Sequence, residues 1–307
     1  MFSLIIPVYN EEALIDELAT RSIAAIESFS NKYEILFIND GSTDSTLQKL
    51  IELKKKHSGI KIVDLSRNFG HQAAYTAGLE LAKGDYVAMM DGDLQDPPEK
   101  LAEMYRMIRE EGFDVVNGKR SDLKAKRFRT ASRLFHALFK KISGMDDMES
   151  TGNFSVMNRA AVNALVQMKE SIRYLPGMRS FIGFRQGYLE YVREDRLEGE
   201  PKMTLGKLIV LGTDAIFSFS KFPIRLCLFL GIFGTIVFMI AGIYVLVAKA
   251  AGFALFGWSS TVLSIYFLGS IQLIFLGVVG EYVYRIYKET QNRPQYLVKK
   301  FYDTEAE

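Results

Sequence analysis

The chain carries one cysteine, Cys227, one tryptophan, Trp258, and three histidines, His57, His71 and His136, in 307 residues. A lone cysteine forms no internal disulfide and builds no Cys-rich zinc site. The histidines are scattered and lack the spacing of a His-based metal centre. No sign of charge dominates, since 38 Lys+Arg against 36 Asp+Glu leave a net +2, so no global field recruits nucleic acid. Neither a Gly-x-x-x-x-Gly-Lys phosphate loop nor a Gly-x-Gly-x-x-Gly fingerprint occurs, which removes the usual marks of NTPases and dinucleotide enzymes. What the chain does have is apolar substance, 49% of residues with 12% aromatic, too much for a disordered or fibrous protein.

That apolar content rises sharply after about residue 205. Leu226–Val247 is 22 residues without a charge, Ala250–Gly280 is 31 more, and Lys249 is the only charge between them. A helix of 22 residues is about 33 Å long, matching a hydrocarbon core of ~30 Å. We read two membrane helices, Leu226–Val247 and Ser260–Gly280, joined by a short loop. Lys202, Lys207, Lys221 and Arg225 precede the pair, and Arg285, Lys288, Arg293, Lys299 and Lys300 follow it. By the positive-inside rule both flanks, and the long N-terminal region, are cytoplasmic. Met1 leads directly into the strand-like Ser3–Val8, so no signal peptide is expected. In Leu205–Phe222 apolar residues recur at helical spacing opposite Lys207, Asp214 and Lys221. Such a helix suits the headgroup layer, or packs on the soluble region.

Residues 1–120 alternate strand and helix patterns. Strands are expected at Ser3–Tyr9, Tyr33–Asn39, Lys61–Leu65, Tyr86–Met90 and Asp114–Asn117, and helices at Glu11–Phe29, Asp44–Lys56, His71–Ala82 and Pro98–Glu111. The first helix would bury Leu14, Leu18, Ala25 and Phe29, with Asn10 as its cap and Glu11 and Glu12 in its first turn. This alternation predicts an α/β fold with a mainly parallel sheet, whose ligands bind beyond the carboxyl ends of the strands.

Three acidic turns should meet there: Tyr9-Asn10-Glu11-Glu12, Asn39-Asp40-Gly41-Ser42-Thr43-Asp44 and Asp91-Gly92-Asp93-Leu94-Gln95-Asp96. Asp44 and Asp96 read as helix caps, the latter followed by Pro97-Pro98-Glu99. Asp91 and Asp93, one residue apart after an apolar run, repel each other unless a cation lies between them. Their oxygens suit Mg²⁺ or Mn²⁺, and Mg²⁺ held by few carboxylates is shared with substrate phosphates. That points to a nucleoside-diphosphate donor. His71 reads as a capping or packing residue, and His136 as structural. Arg173 and Arg179 flank an apparent loop, as phosphate contacts or as solvated charges. Glu281 and Arg285, at i and i+4, read as a pair within one helix.

Pro7-Val8-Tyr9-Asn10-Glu11-Glu12, Asn39–Asp44 and Met90–Pro98 together resemble family 2 glycosyltransferases of the GT-A fold. Arg67–Gln72 and Gly280–Tyr287 narrow the resemblance to polyprenyl-phosphate glycosyltransferases, and the two C-terminal helices to their bactoprenol branch. The resemblance implies that Pro7, Tyr9, Glu11 and Asp40 hold base and ribose. It makes Asp91, Asp93 and Gln95 the metal and diphosphate site, with Asp91 also counted on the donor side. Arg120 and Arg129 would grip phosphate, so that Asp93, Arg120 and Arg129 form the catalytic set. Arg196, Gly199 and Lys202 resemble a loop over the site, where Pro201 replaces a hydroxyl residue. Asn153 stands where many relatives carry aspartate. An amide is no base, but a lipid phosphate is already ionised and needs none.

The expected architecture is a GT-A domain (1–200), a juxtamembrane amphipathic segment (201–225), two transmembrane helices (226–280) and a cytoplasmic tail (281–307). The expected function is inverting transfer of one sugar from a nucleotide-sugar to undecaprenyl phosphate at the cytoplasmic face of a bacterial inner membrane. UDP-glucose is the preferred donor, with UDP-N-acetylglucosamine, UDP-galactose, UDP-4-amino-arabinose and GDP-mannose open. Homo-oligomers are implied by the resemblance, and Gly231, Gly234, Gly269 and Gly277 allow close helix packing. A processive polysaccharide synthase would carry a Gln-x-x-Arg-Trp motif, which the single Trp258 does not supply. The alternative from another class is an inactive transferase-like scaffold that recruits a flippase or polymerase.

Overall fold

The apolar residues of Phe2–Val8 (β1) are buried along the whole strand, which identifies it as a central strand covered on both faces. The computed structural model describes residues 1–120, 151–170, 173–192, 222–252 and 257–303. From β1 the chain continues through α1 (Ile15–Glu27), β2 (Tyr33–Asn39), α2 (Thr46–Lys56), β3 (Ile60–Leu65), α3 (His71–Leu81) and β4 (Tyr86–Met89). A short 3₁₀ turn, Pro98–Lys100, leads into α4 (Leu101–Glu111), followed by β5 (Val115–Arg120). Beyond the first hundred and twenty residues come β6 (Thr151–Asn158), α5 (Arg159–Gln167), α6 (Leu175–Phe181) and β7 (Gln186–Tyr191). Two long helices, α7 (Phe222–Ala250) and α8 (Trp258–Thr290), precede a last strand, β8 (Val298–Tyr302).

The sheet order is β7-β5-β6-β4-β1-β2-β3-β8. Pairs β1/β2, β1/β4, β2/β3 and β5/β7 are parallel. Strands β6 and β8 run antiparallel to their neighbours. This is the α/β class expected, with antiparallel strands the alternation of residues 1–120 did not reveal. Because β6 is antiparallel to both β4 and β5, the start of β6 lies at the same sheet edge as the ends of β4 and β5.

Helix α1 buries Ile15, Leu18, Ala25 and Ile26, and Leu14 and Phe29 join the core as expected. Its start is corrected, however. Asn10 does not cap it: Asn10 has φ 53° and its Oδ1 accepts from the Thr43 N–H at 2.8 Å. The acids of the first turn are Asp16 and Glu17, not Glu11 and Glu12. A bond to the neighbouring β2–α2 turn outcompetes the local cap.

The chain divides into two compact units. The first holds the sheet and takes back the tail from Arg293. The second holds α7 and α8. Both helices contain stretches long and apolar enough to cross a membrane, Cys227–Tyr244 and Phe267–Thr290. At 29 and 33 residues they are about 44 and 50 Å long, more than one hydrocarbon core needs. A Cβ at Gly231 would lie 3.6 Å from Phe275, while one at Gly234, Gly269 or Gly277 would meet nothing within 4 Å among the described residues. The expected tail 281–307 is therefore divided: α8 runs on to Thr290, and β8 pairs with β3. The amphipathic segment expected at 205–222 lies outside the described residues up to 221.

Candidate functional site

The turns after β1, β2, β3 and β4, the end of β5 and the start of β6 share one edge of the sheet, by strand direction alone. Pro7 is buried within β1, and Tyr9, just beyond it, is exposed. Glu11 donates its N–H to Thr46 Oγ1 at 3.0 Å. Asp40, 4% exposed, accepts from the N–H groups of Phe69 (2.7 Å) and Gly70 (2.9 Å). Both its oxygens thus tie down the β3–α3 turn. Gly41 (φ 68°) sits so close to that turn that a Cβ would lie 2.5 Å from the Arg67 carbonyl carbon. Asp44, expected as the cap of α2, stands one residue before the observed N-cap, Ser45; its carboxylate accepts from Thr46 N–H (3.0 Å) and from Glu12 N–H (3.3 Å).

The turn after β4 is tightly specified. Gly92 passes over β1, where a Cβ would meet the Pro7 carbonyl oxygen at 2.8 Å. Leu94 adopts φ 56° with its side chain buried. Gln95 donates its N–H to Asp93 Oδ1 at 3.2 Å, closing the turn on itself. Asp91 Oδ1 accepts from Tyr75 Oη at 2.7 Å, and His71 Nε2 lies 2.9 Å from the same oxygen. Desolvation works to raise the Asp91 carboxyl, but the His71 and Tyr75 bonds and the Arg120 charge hold it well below the usual carboxylate range. Desolvation likewise opposes charge on His71, and the Asp91 bond with the Asp93 and Asp40 charges overcomes it, raising the imidazole.

Asp96 is corrected from cap to buried partner. It is fully buried and accepts from Tyr191 Oη at 2.5 Å, while no side chain caps the 3₁₀ turn. Glu99, expected as its capping-box acid, pairs with Arg21 at 3.0 Å. Proline does occupy the first turn, as expected. Arg120 reaches Tyr191 Oη through Nε at 3.5 Å. Burial raises the Tyr191 hydroxyl first, and the Asp96 charge and bond raise it further.

At the start of β6, Asn153 Oδ1 is buried without a hydrogen-bond donor among the described residues. Its carbonyl, that of Gly152 and Ser155 Oγ accept from Arg179. Arg179 is 1% exposed on α6, so the solvated-loop reading of this residue is overturned. Burial brings its pKa down to about 10. Arg173 donates to Met168 and Thr76. Arg129, Arg196 and Lys202 lie outside the described residues.

The structure therefore gathers Asp91, Asp93, Gln95, Arg120 and Asn153 at the edge where Pro7, Tyr9 and Asp40 end their strands. His71, Tyr75 and Tyr191 join them without having been expected as site residues, and Arg179, weighed as a phosphate contact, instead donates to the Gly152 and Asn153 carbonyls and to Ser155 Oγ. For His71 and Tyr75 a signal existed: i, i+4 spacing directly after the Gly70 turn, on the ligand edge of the sheet. Asp91, Asp93 and the Gln95 amide offer the hard oxygen donors that Mg²⁺ or Mn²⁺ takes. Among the described residues no group of three or more His, Cys, Asp or Glu forms a closed cage.

The sequence profile described as "Glycosyl transferase family 2" matches residues 3–169. The chain is 38% identical over 309 aligned positions to an uncharacterized glycosyltransferase, YkcC, of Bacillus subtilis, covering 99% of this chain and 95% of the other. It is 36% identical to a prophage bactoprenol glucosyl transferase homolog of Escherichia coli, covering 97% and 98%. Its identity to the bactoprenol glucosyl transferase of Shigella phage SfII is also 36%, covering 97% of each chain.

Proposed function

The chain belongs to glycosyl transferase family 2, and from that premise we propose that it transfers a single glucosyl group from a nucleotide-sugar to a polyprenyl phosphate at a membrane surface. UDP-glucose is the donor and undecaprenyl phosphate the acceptor in this reading. The observation that carries it is the placing of Asp91 and Asp93 at the sheet edge with the Arg120 charge close enough to act on Asp91.

An oxygen of the lipid phosphate attacks the anomeric carbon as the bond to the diphosphate oxygen breaks, and UDP leaves with inverted configuration at carbon. The nucleophile is already an anion, so no side chain has to remove a proton, and Asn153 is compatible with the chemistry. What remains is positioning and charge stabilisation. Asp91, Asp93 and Gln95 would hold Mg²⁺ or Mn²⁺, which when bound supplies positive charge against the diphosphate. Arg120, and Arg129 with it, align an acceptor that would otherwise be repelled by the donor. Tyr9, Glu11 and Asp40 border the place for base and ribose.

Membrane attachment runs through α7 and α8. Residues before α7 and strand β8 after α8 belong to one sheet. A chain that leaves and rejoins the same folded unit crosses a bilayer an even number of times, which supports two spans. The cations flanking the pair support a cytoplasmic side for that unit.

The test is a transfer assay with purified full-length protein, undecaprenyl phosphate, Mg²⁺ or Mn²⁺, and a panel of labelled nucleotide-sugars. Label from UDP-glucose is expected in the lipid fraction, and none with Asp93→Ala. Folded protein that moves no sugar from any donor would instead favour the inactive scaffold.

A further inference from the structure

The two hydrogen bonds on Asp91 fall on one atom. Tyr75 Oη and His71 Nε2 approach Oδ1 at 2.7 and 2.9 Å, and Oδ2 makes no hydrogen bond among the described residues. The donors stand one helical turn apart on α3, with their rings edge to face at 4.7 Å. Tyr75 is fully buried, so its hydroxyl gives up water and receives this carboxylate as compensation. The brace is itself fixed. Asp40 accepts from the Phe69 and Gly70 amides at the helix start, and the Gln72 side chain accepts from Leu175 N–H at 3.1 Å.

A carboxylate on a free turn rotates and can meet a cation with either oxygen or with both. Two donors on Oδ1 stop that rotation and reserve Oδ2. We propose that His71 and Tyr75 are positioning residues for donor binding, fixing Asp91 so that Oδ2 alone serves a cation shared with the nucleoside diphosphate. The inference rests on the transferase reading above. Neither residue touches substrate; each acts through Asp91, as groups behind a metal ligand do elsewhere.

The experiment uses the full-length protein in detergent and measures Mn²⁺ affinity at saturating UDP, by the electron paramagnetic resonance of free Mn²⁺. Tyr75→Phe and His71→Leu should each weaken Mn²⁺ binding by about 10–100-fold. His71→Gln, whose amide N–H can stand where Nε2 does, should recover most of the loss. UDP binding without metal and the melting temperature should stay parental in all three. Parental Mn²⁺ affinity in Tyr75→Phe and His71→Leu would overturn the inference while leaving the transferase reading intact. So would a loss equally large in metal-free UDP binding or in melting, which would mark a structural role. A parent protein that binds no Mn²⁺ with UDP would overturn both.

Discussion

Leu94 holds left-handed backbone, φ 56°, while its side chain is 1% exposed. Such a conformation costs roughly 1–3 kcal/mol for a residue with a Cβ, and burial of the side chain holds it in place. The neighbouring Gly92 is fixed by space, since a Cβ would press on the Pro7 carbonyl oxygen at 2.8 Å. Gly92→Ala should therefore displace the carboxylate turn and lower kcat/KM on the order of 100-fold, read in the lipid-transfer assay. A near-parental rate would show that the turn tolerates the shift. Asp44 gives a prediction in pH. Desolvation works to raise its carboxyl, but bonds from Thr46 and Glu12 lower it. A depressed carboxylate stabilises above its unfolded pKa and loses that contribution as pH falls through the folded value. Asp44→Ala removes the hydrogen bonds to the Thr46 and Glu12 N–H groups and should cost about 1 kcal/mol near neutrality. The melting difference from the parent should shrink below about pH 4; a difference constant with pH would remove the charge from the argument. At this scale the sequence made the edge position of Asp40, Asp91 and Asp93 legible, because each follows an apolar run that reads as a parallel strand. Asn10 and Asp96 were misread because a cap pattern is local, whereas their partners, Thr43 and Tyr191, come from other elements.

Among the elements, the parallel strands were readable from continuous apolar runs, and β2 matches its expected bounds. Strand β8 was not, because Val298-Lys299-Lys300-Phe301-Tyr302 is a short, polar edge strand whose only instruction is the open side of β3. Its end is secured by a buried ion cluster. Lys61 lies 3.1 Å from Glu34 and 3.0 Å from Asp303, with side chains 11%, 2% and 11% exposed. Burial opposes the Lys61 charge, but Asp303 and Glu34 raise its pKa above the ordinary lysine value. Lys61→Met would take its ion-pair partner from buried Glu34 and leave Asp303 with Lys83 at 3.7 Å, and should cost about 3 kcal/mol in thermal or denaturant unfolding. Asp303→Asn should cost less, since Glu34 and Lys61 remain paired. Equal, negligible losses would show that the cluster contributes nothing to β8. Helix α3 is the element whose importance the sequence understated: its hydrophobic residues announced a core helix, and its first turn braces the carboxylate site.

For the molecule as a whole, β8 makes the path of the chain a functional matter, because the polypeptide after α8 returns to the sheet that carries the site. The proposed pair of spans is consistent with that return, and the lone Cys227 makes the proposal measurable. In a Cys227→Ser background, Gly252→Cys between the helices should react with a membrane-impermeant maleimide on intact cells. Lys32→Cys, at the start of β2, should react only after permeabilisation. Labelling of Lys32→Cys on intact cells would place the sheet outside. The two apolar runs and their flanking cations were plain in the sequence, since a hydrocarbon core imposes length and polarity directly. The identity of the sugar was not, because it depends on the shape of a pocket assembled from separate turns. The most direct measurement is the mass of the lipid product after incubation with UDP-glucose and undecaprenyl phosphate. The account predicts undecaprenyl phosphate heavier by one hexosyl residue and no more. A ladder of hexosyl additions, or unchanged lipid beside folded protein, would contradict it.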